Sequence, residues 1–382
     1  MNPPAFRVLV AGGGTGGHFF PGLAVVEELR AQDPGSEVLF VGTERGIEAR
    51  VCPREGLSLR TIQVQRLKGG GWSGWIAGLL RLPRALLQSW RILREFRPDV
   101  VLGVGGYASG PAVLAAALTG RPTVILEQNA RPGMTNRLLG RVARRVVVAL
   151  EEARGSFPAG RTVLLGNPVR QSIGERLAAA RANVEPRAAG EPPHLLVVGG
   201  SQGARGINRV LPAVLTELQR LGVSPRVRHG TGRLDLESVR LELQARGLLA
   251  QVETSEFIED MAAAYSWADL VICRAGATTL FELAAARRPA VLIPFPYAAD
   301  NHQEANARAF VQAGAALLVR ERELDPPALA ATLAELFADG LRLQQMGERA
   351  GELARPRAAR QIVALVYELG GRAAPAAAEE AG

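Results

Sequence analysis

The sequence predicts an α/β protein of two similar domains, each built on a parallel sheet with helices on both faces. Three observations carry this expectation. Short β-branched runs alternate with longer helical patterns along the chain. The runs are continuously apolar rather than alternating, as strands buried on both faces require. The whole pattern then restarts past the midpoint of a chain of 382 residues, a length suited to two domains.

Taken in order, Phe6–Ala11 reads as a strand, Gly12–Gly17 as a tight loop and Pro21–Ala31 as a helix. Further strand runs follow at Val38–Val41, Asp99–Leu102, Thr123–Leu126, Arg145–Ala149 and Thr162–Leu165. An Ala/Arg/Pro-rich stretch after Arg170, with Glu185-Pro186 and Glu191-Pro192-Pro193, marks irregular chain. The pattern restarts at Leu195–Val198, followed by Gly199-Gly200-Ser201-Gln202-Gly203 and another helix. This is a quasi-repeat: Gly13 to Gly17 follow the first strand of one half and Gly199 to Gly203 the first strand of the other. Strand, glycines, small-residue helix, Arg-Pro and strand recur from Val101 to Leu126 and from Val271 to Ile293. The expected division is 1–167 for the first domain, 168–350 for the second, a helix within 351–369 packing back on the first, and a disordered tail at 370–382.

Composition narrows the function. Hydrophobic residues at 47% and charged residues at 21% exclude wholesale disorder. Cys52 and Cys273 lie too far apart for a disulfide framework or a cysteine-based metal site, and a reducing compartment is expected. The net charge of +8 invites an anionic partner. Lys68 is the only lysine, however, and codon composition explains an arginine skew as readily as function does. A nucleic-acid module would interleave basic residues with stacking aromatics, but aromatics are only 5% and no such run exists. No stretch approaches the ~18 apolar residues that cross a bilayer. The first ten residues lack the length and cleavage site of a signal peptide.

The chemistry sits in glycine loops. Gly12-Gly13-Gly14-Thr15-Gly16-Gly17-His18 stands between a strand and a helix, where exposed amides favour an anion. Consecutive glycines replace the dinucleotide fingerprint, and no Walker lysine is present. A strand-to-helix turn without ligand would use the same residues, but Gly199 to Gly203 repeats the signal. His18 at the loop mouth is a candidate general base, with a capping or packing histidine as the plainer alternative. The four histidines show no paired spacing, which argues against a metal centre. Arg274 to Glu282 follows a strand and opens a helix, where a diphosphate is favoured, with Glu282 within reach of ribose hydroxyls. Along Lys68–Arg97, Trp75, Leu79, Leu82, Leu86, Trp90 and Leu93 form one helical stripe. Ile76, Leu80 and Leu87 widen it, and Arg81, Arg84, Arg91 and Arg94 border it. Pro83 is expected to break or kink the run into two pieces. A core helix is one reading; the arginine-edged arc also suits anionic lipid headgroups.

Together these segments resemble the MurG family, the bacterial peptidoglycan N-acetylglucosaminyltransferases that convert lipid I to lipid II. The matching residues are Gly13 to His18 with Phe20 to Ala24, Gly105 to Pro111, Glu127-Gln128-Asn129, Gly166 to Arg170, Gly199 to Ala204, Glu256 to Ile258, Arg274 to Glu282, and Asp300 to Gln303. They run in order from about Val8 to Asn306. The resemblance implies a GT-B fold, two Rossmann-like domains with parallel sheets facing a central cleft. It implies an enzyme, a UDP-GlcNAc-dependent hexosyltransferase. Ile258 would meet uracil through its backbone and Glu282 the ribose. Ser201, Arg170 and the helix start Ala277, Thr278, Thr279, Leu280 and Phe281 would surround the diphosphate. Gln303 and Asn129 would contact the sugar, and Thr15, Gly16 and Gly17 would approach it from the other domain. At His302 the sequence departs from the glutamine the family often carries.

The implied reaction is inverting: the muramyl C4 hydroxyl of lipid I displaces UDP to form a β-1,4 bond. His18 is the candidate base, or else positions the acceptor, and Tyr107 helps receive the acceptor's diphosphate. No resident cofactor and no metal are expected, with a divalent cation at most a non-essential assistant. Expected partners are UDP-GlcNAc, undecaprenyl-diphosphate-linked lipid I, an anionic membrane surface met by Trp75, Ile76, Leu79, Leu80, Arg81 and Arg84, and other cell-wall synthesis proteins. A nucleic acid is not among them. The expected location is the cytoplasmic face of the membrane, as a peripheral protein. UDP-sugar epimerases and diacylglycerol-using glycosyltransferases share the fold and are the rival enzymes.

Overall fold

The computed structural model describes residues 4–64, 71–182, 190–200 and 203–375, without the side chains of 71–81 and 180–182. The chain divides into two units, one running to Gln171 and resuming at Arg355, the other Ser172–Ala354.

Unit 1 begins with β1 (Arg7–Gly12), α1 (Gly16–Gln32), β2 (Glu37–Gly42), α2 (Glu48–Arg54), β3 (Ser58–Thr61) and α3 (Gly71–Phe96). It continues with β4 (Val100–Gly105), α4 (Ser109–Leu118), β5 (Thr123–Glu127), α5 (Met134–Leu139), β6 (Arg145–Val148) and β7 (Thr162–Leu164). Among the described residues these strands form one parallel sheet of order β3-β2-β1-β4-β5-β6-β7, with Val8 opposite Val38 and Val100. Strand side chains alternate faces, and both faces are apolar. Val8 and Val10 join Phe19, Leu23 and Val26 of α1 on one side. Leu9 and Ala11 join Leu93 of α3 and Ala112 of α4 on the other.

Unit 2 follows α6 (Gln171–Ala182) with β8 (His194–Val198), α7 (Arg205–Arg220), β9 (Arg226–Gly230), α8 (Leu236–Ala245), β10 (Val252–Ser255) and α9 (Met261–Trp267). Then come β11 (Leu270–Cys273), α10 (Ala277–Ala286), β12 (Ala290–Leu292), α11 (His302–Gln312), β13 (Ala316–Leu318), α12 (Pro326–Ala338) and α13 (Gly340–Glu352). The parallel sheet has the order β10-β9-β8-β11-β12-β13. Leu195, Val197, Leu270 and Ile272 pack against Ile207, Leu211 and Leu215 of α7.

The last helix, α14 (Ala358–Leu369), returns to unit 1, where Ile362, Val363, Val366 and Tyr367 complete the α1-side core. Tyr367 stacks on Phe6 with ring centroids 4.3 Å apart, and its hydroxyl donates to Asp33 Oδ2 at 2.9 Å. The chain stays attached beyond Gly370: the Arg372 guanidinium lies over Phe6 and donates to the Pro4 carbonyl.

Helix α3 departs from the expectation in two ways. It runs unbroken through Pro83, because losing one backbone hydrogen bond does not outweigh the packing of the turns that follow. The fully buried positions there are Ala85, Ser89 and Leu93 at a spacing of four, the first two small enough to let α3 lie close to α4, while Leu82, Leu87 and Trp90 are exposed. The expected single stripe is therefore split, Leu93 inward and Trp90 outward. Of the expected membrane-facing residues, Arg84 is exposed on this helix; the side chains of Trp75, Ile76, Leu79, Leu80 and Arg81 lie outside the described residues. Among the described residues no helix is long and apolar enough to cross a membrane.

Candidate active site

In each sheet the strand order reverses direction once, between β1 and β4 in unit 1 and between β8 and β11 in unit 2. Open parallel sheets bind ligands outside the carboxyl ends of strands at such a switch point. The glycine loops leave the sheets at these points.

In unit 1 the loop after β1 and the loop after β4 interlock through backbone alone. Gly13 N donates to the Gly105 carbonyl at 3.2 Å. A Cβ on Gly12 would stand 2.2 Å from the Gly105 oxygen, and one on Gly106 would stand 2.4 Å from the Gly13 oxygen. Gly105 at φ +91° leaves its open face to His18, whose Nδ1 would lie 2.6 Å from an added Cβ. Only glycine meets both demands. Thr15, Gly16 and Gly17 form the start of α1, with no side-chain cap and no acidic residue in the first turn, so its own residues leave the first amides open. Tyr107 is exposed on the neighbouring loop.

The next strand end orients His18. Gln128 is buried, and its Nε2 donates to the Val104 carbonyl at 3.0 Å. That bond fixes the amide, so Oε1 is the atom facing His18 Nδ1 at 3.3 Å. An amide oxygen only accepts, which makes Nδ1 the protonated nitrogen and leaves the Nε2 lone pair as the basic site. Burial pushes the His18 pKa below 6.5, partly offset by the Gln128 and Val104 hydrogen bonds, so the ring stays neutral near pH 7. Asn129 is set by Glu127, whose Oε1 accepts from Asn129 N at 3.0 Å and Nδ2 at 3.1 Å. Glu127 Oε2 accepts from Asn136 Nδ2 at 2.9 Å. Burial raises the Glu127 pKa, and the hydrogen bonds from Asn129, Asn136 and the Gly133 backbone offset only part of that rise.

Glu48 is a residue the sequence reading did not single out. Fully buried, it accepts from Gly14 N at 2.7 Å and from Thr43 N and Oγ1 at 2.8 and 3.0 Å. Gly13, Gly42 and Gly46 leave the space its carboxylate fills. Those three glycines were the available signal. Arg170, expected with the second domain, falls within unit 1, where its guanidinium lies 5.0 Å above the Phe20 ring.

In unit 2 the starts of α7 and α10 lie side by side, since β8 and β11 are neighbours. The loop after β8 turns through Gly200 at φ +83° and Gly203 at φ +75°, the latter packed on the Thr231 carbonyl. Ser201 lies outside the described residues. Gly276 precedes α10 without a side-chain cap, and Ala277, Thr278 and Thr279 form its first turn, with no acidic residue. The Thr278 hydroxyl is buried and has no hydrogen-bond partner among the described residues. Leu280 and Phe281 point into the core instead, so only their backbone belongs to the helix start.

Arg274, also unassigned from sequence, pairs with Glu321 and donates to the Ile293 and Pro294 carbonyls at 3.1 and 3.2 Å. It pins the start of the loop that leads to α11, where Gln303 Oε1 accepts from Phe295 N at 2.9 Å. Asn306, fully buried, donates to the Ala275 carbonyl at 3.1 Å and ties α11 to the loop before α10. Asp300 and Asn301 precede α11 with φ of +53° and +54°, a strained pair of the kind that collects at ligand sites. The Ile258 side chain rests against Gly230. Glu282 accepts from the Tyr265 hydroxyl at 3.0 Å. Among the described residues no three His, Cys, Asp or Glu side chains group as metal ligands would.

Two doubly wound units, each with open helix starts at its switch point and one with an oriented histidine, have the architecture of the GT-B class of sugar-nucleotide enzymes. The comparisons agree. Residues 8–148 match the glycosyltransferase family 28 N-terminal domain and residues 194–362 the family 28 C-terminal domain. A curated relative from Myxococcus xanthus, named UDP-N-acetylglucosamine--N-acetylmuramyl-(pentapeptide) pyrophosphoryl-undecaprenol N-acetylglucosamine transferase, is 51% identical over 363 residues, 95% of this chain and 93% of that protein. One of the same name from Geobacter metallireducens is 48% identical over 94% and 97%. The crystal structure of Acinetobacter baumannii MurG superposes with a TM-score of 0.76 at 33% identity, covering 95% of this chain and 99% of that one. A UDP-GlcNAc 2-epimerase from Neisseria meningitidis, at 14% identity and a TM-score of 0.63, shares the fold alone. The chain belongs to glycosyltransferase family 28 and, within it, to the MurG family of N-acetylglucosamine transferases.

Proposed function

We propose that this enzyme transfers GlcNAc from UDP-GlcNAc to the C4 hydroxyl of the MurNAc-pentapeptide of undecaprenyl-linked lipid I, with inversion, forming β-1,4-linked lipid II. The observation that carries the reading is the 51% identity over 95% of the chain to the Myxococcus xanthus transferase, and the His18 imidazole, oriented by Gln128 with Nε2 as its basic atom, supplies the base. A single displacement needs a base for the attacking hydroxyl and stabilisation of the departing diphosphate. His18 takes the hydroxyl proton on Nε2 as C4 oxygen attacks the anomeric carbon and the bond to UDP breaks.

Unit 2 holds the donor. The uncapped start of α10, with the Thr278 hydroxyl and Ser201, receives the diphosphate, and Arg170 adds a positive charge. Ile258 meets the uracil through its backbone, Glu282 the ribose, and Gln303 and Asn129 the sugar. Thr15, Gly16 and Gly17 complete the sugar site, and Tyr107 the acceptor site. The reaction needs no resident cofactor, because helix amides and arginine supply the charge a metal would otherwise bring; a divalent cation assists at most non-essentially. The acceptor's lipid draws the protein to the cytoplasmic face of the membrane as a peripheral partner, where other cell-wall synthesis proteins meet it.

The test is incubation with labelled UDP-GlcNAc and a short-chain lipid I analogue. The expected product is a β-1,4 disaccharide on the lipid. Donor hydrolysis or epimerisation without transfer would overturn the assignment in favour of the epimerase-like reading.

A further inference from the structure

Tyr265 on α9 is fully buried, yet its hydroxyl reaches Glu282 on α10, where Oε2 accepts from it at 3.0 Å. A glutamate on a helix has three rotatable bonds, and a free one samples several rotamers before it can bind anything. The Tyr265 ring is packed on every side and cannot follow those rotamers, so its hydroxyl selects one. Burial, and then the Glu282 charge, hold the phenol protonated, which keeps it a donor at every working pH. Accepting from the phenol takes one of a carboxylate's roughly four lone-pair directions. Removing the reorganisation cost of a recognition group raises affinity for what that group binds and for nothing else.

We propose that Tyr265 is a positioning residue for nucleotide recognition: it holds the Glu282 carboxylate in the orientation that bonds the ribose hydroxyls of the donor. The proposal rests on the assignment of Glu282 to the ribose. It makes Tyr265 a determinant of the preference for ribose over deoxyribose, acting through a residue it touches and not on the substrate itself.

The experiment compares binding of UDP and 2′,3′-dideoxy-UDP to the full-length protein by calorimetry, for the unaltered enzyme, Tyr265→Phe and Glu282→Ala. Phenylalanine keeps the ring in the core, and the melting temperature checks that the fold is retained. The affinity ratio is internal to each variant, so general loosening of the nucleotide site cancels from it. The unaltered enzyme is expected to prefer UDP by about tenfold or more, as a hydrogen bond to a charged group allows. Glu282→Ala abolishes that preference. Tyr265→Phe lowers it about threefold or more, leaves dideoxy-UDP binding within about twofold, and raises KM for UDP-GlcNAc while kcat holds. If Tyr265→Phe keeps the full preference while Glu282→Ala loses it, the positioning role is overturned and the ribose assignment stands. Equal weakening of both nucleotides by Tyr265→Phe also overturns it, as a packing effect. If Glu282→Ala keeps the preference, the ribose assignment fails and the proposal with it.

Discussion

The hydrogen-bond direction at Gln128 decides the chemistry available to His18. The Val104 carbonyl fixes the amide, the amide fixes the tautomer, and the tautomer exposes Nε2 as the base. His18→Ala is therefore expected to lower kcat by ~10²–10⁴, the range of general-base catalysis, with donor affinity nearly unchanged. Gln128→Leu keeps the ring but frees the tautomer, and should cost roughly 10- to 100-fold in kcat. Steady-state kinetics with the lipid I analogue check both, and near-normal turnover in His18→Ala would remove it from the chemistry. A second histidine carries a stability prediction. His229 is buried, donates through Nε2 to Asn208 Oδ1 at 2.9 Å, and has no partner for Nδ1 among the described residues. Burial pushes its pKa down to about 4. Below pH 6.5 the unfolded chain binds a proton that the folded one refuses, so stability is full above that pH and falls as the pH drops toward about 4. The loss is on the order of 3 kcal/mol, read by urea denaturation across that window, and His229→Gln should lose less.

At the scale of elements, legibility followed burial. The central strands β1, β4, β5, β8 and β11 were readable because their residues are apolar on both faces. β9 was missed because Arg226, Val227, Arg228 and His229 alternate between exposed or half-exposed and buried positions, so the run never looks apolar. The short strands β3 and β10 lie at sheet edges, with less apolar surface to bury. The glycine loops were legible as loops, but their interlocking was not, since it depends on β1 lying beside β4. Glu48 was invisible for a related reason: at a helix start it reads as complementing the dipole, and its three acceptor contacts exist only once α2 is folded against the loop. Helix α3 shows the reverse error. Its apolar residues look like one face, whereas Ala85 and Ser89 share the core contact with Leu93 and leave Leu87 and Trp90 outside. That outward pair, with Arg94 over the Trp90 ring and Arg84 and Arg91 beside it, suits an anionic bilayer. Replacing Leu87 and Trp90 with Glu should weaken sedimentation with phosphatidylglycerol vesicles severalfold and leave binding of UDP alone unchanged; equal sedimentation would deny these two residues a docking role.

For the whole molecule, the sequence repeat translated directly into two doubly wound units, because each half carries its own strand-loop-helix opening. The return of α14 to unit 1 follows from its apolar positions Ile362, Val363, Val366 and Tyr367, which face Phe6 and α1 and would otherwise lie in water. Arg170 was harder to place, because the linker sequence does not say which unit will claim it; its stacking on Phe20 decides for unit 1. In the proposed division of labour unit 2 holds the nucleotide of the donor, and unit 1 carries the acceptor site and the base. Hydrogen exchange followed by mass spectrometry tests it most directly, with UDP and a soluble lipid I analogue added separately. UDP is expected to slow exchange from Gly276 to Glu282 and around Ile258, and the analogue to slow it at Gly13–Phe19 and Gly105–Ser109. Protection by UDP confined to the two unit 1 loops, with α10 unchanged, would contradict it.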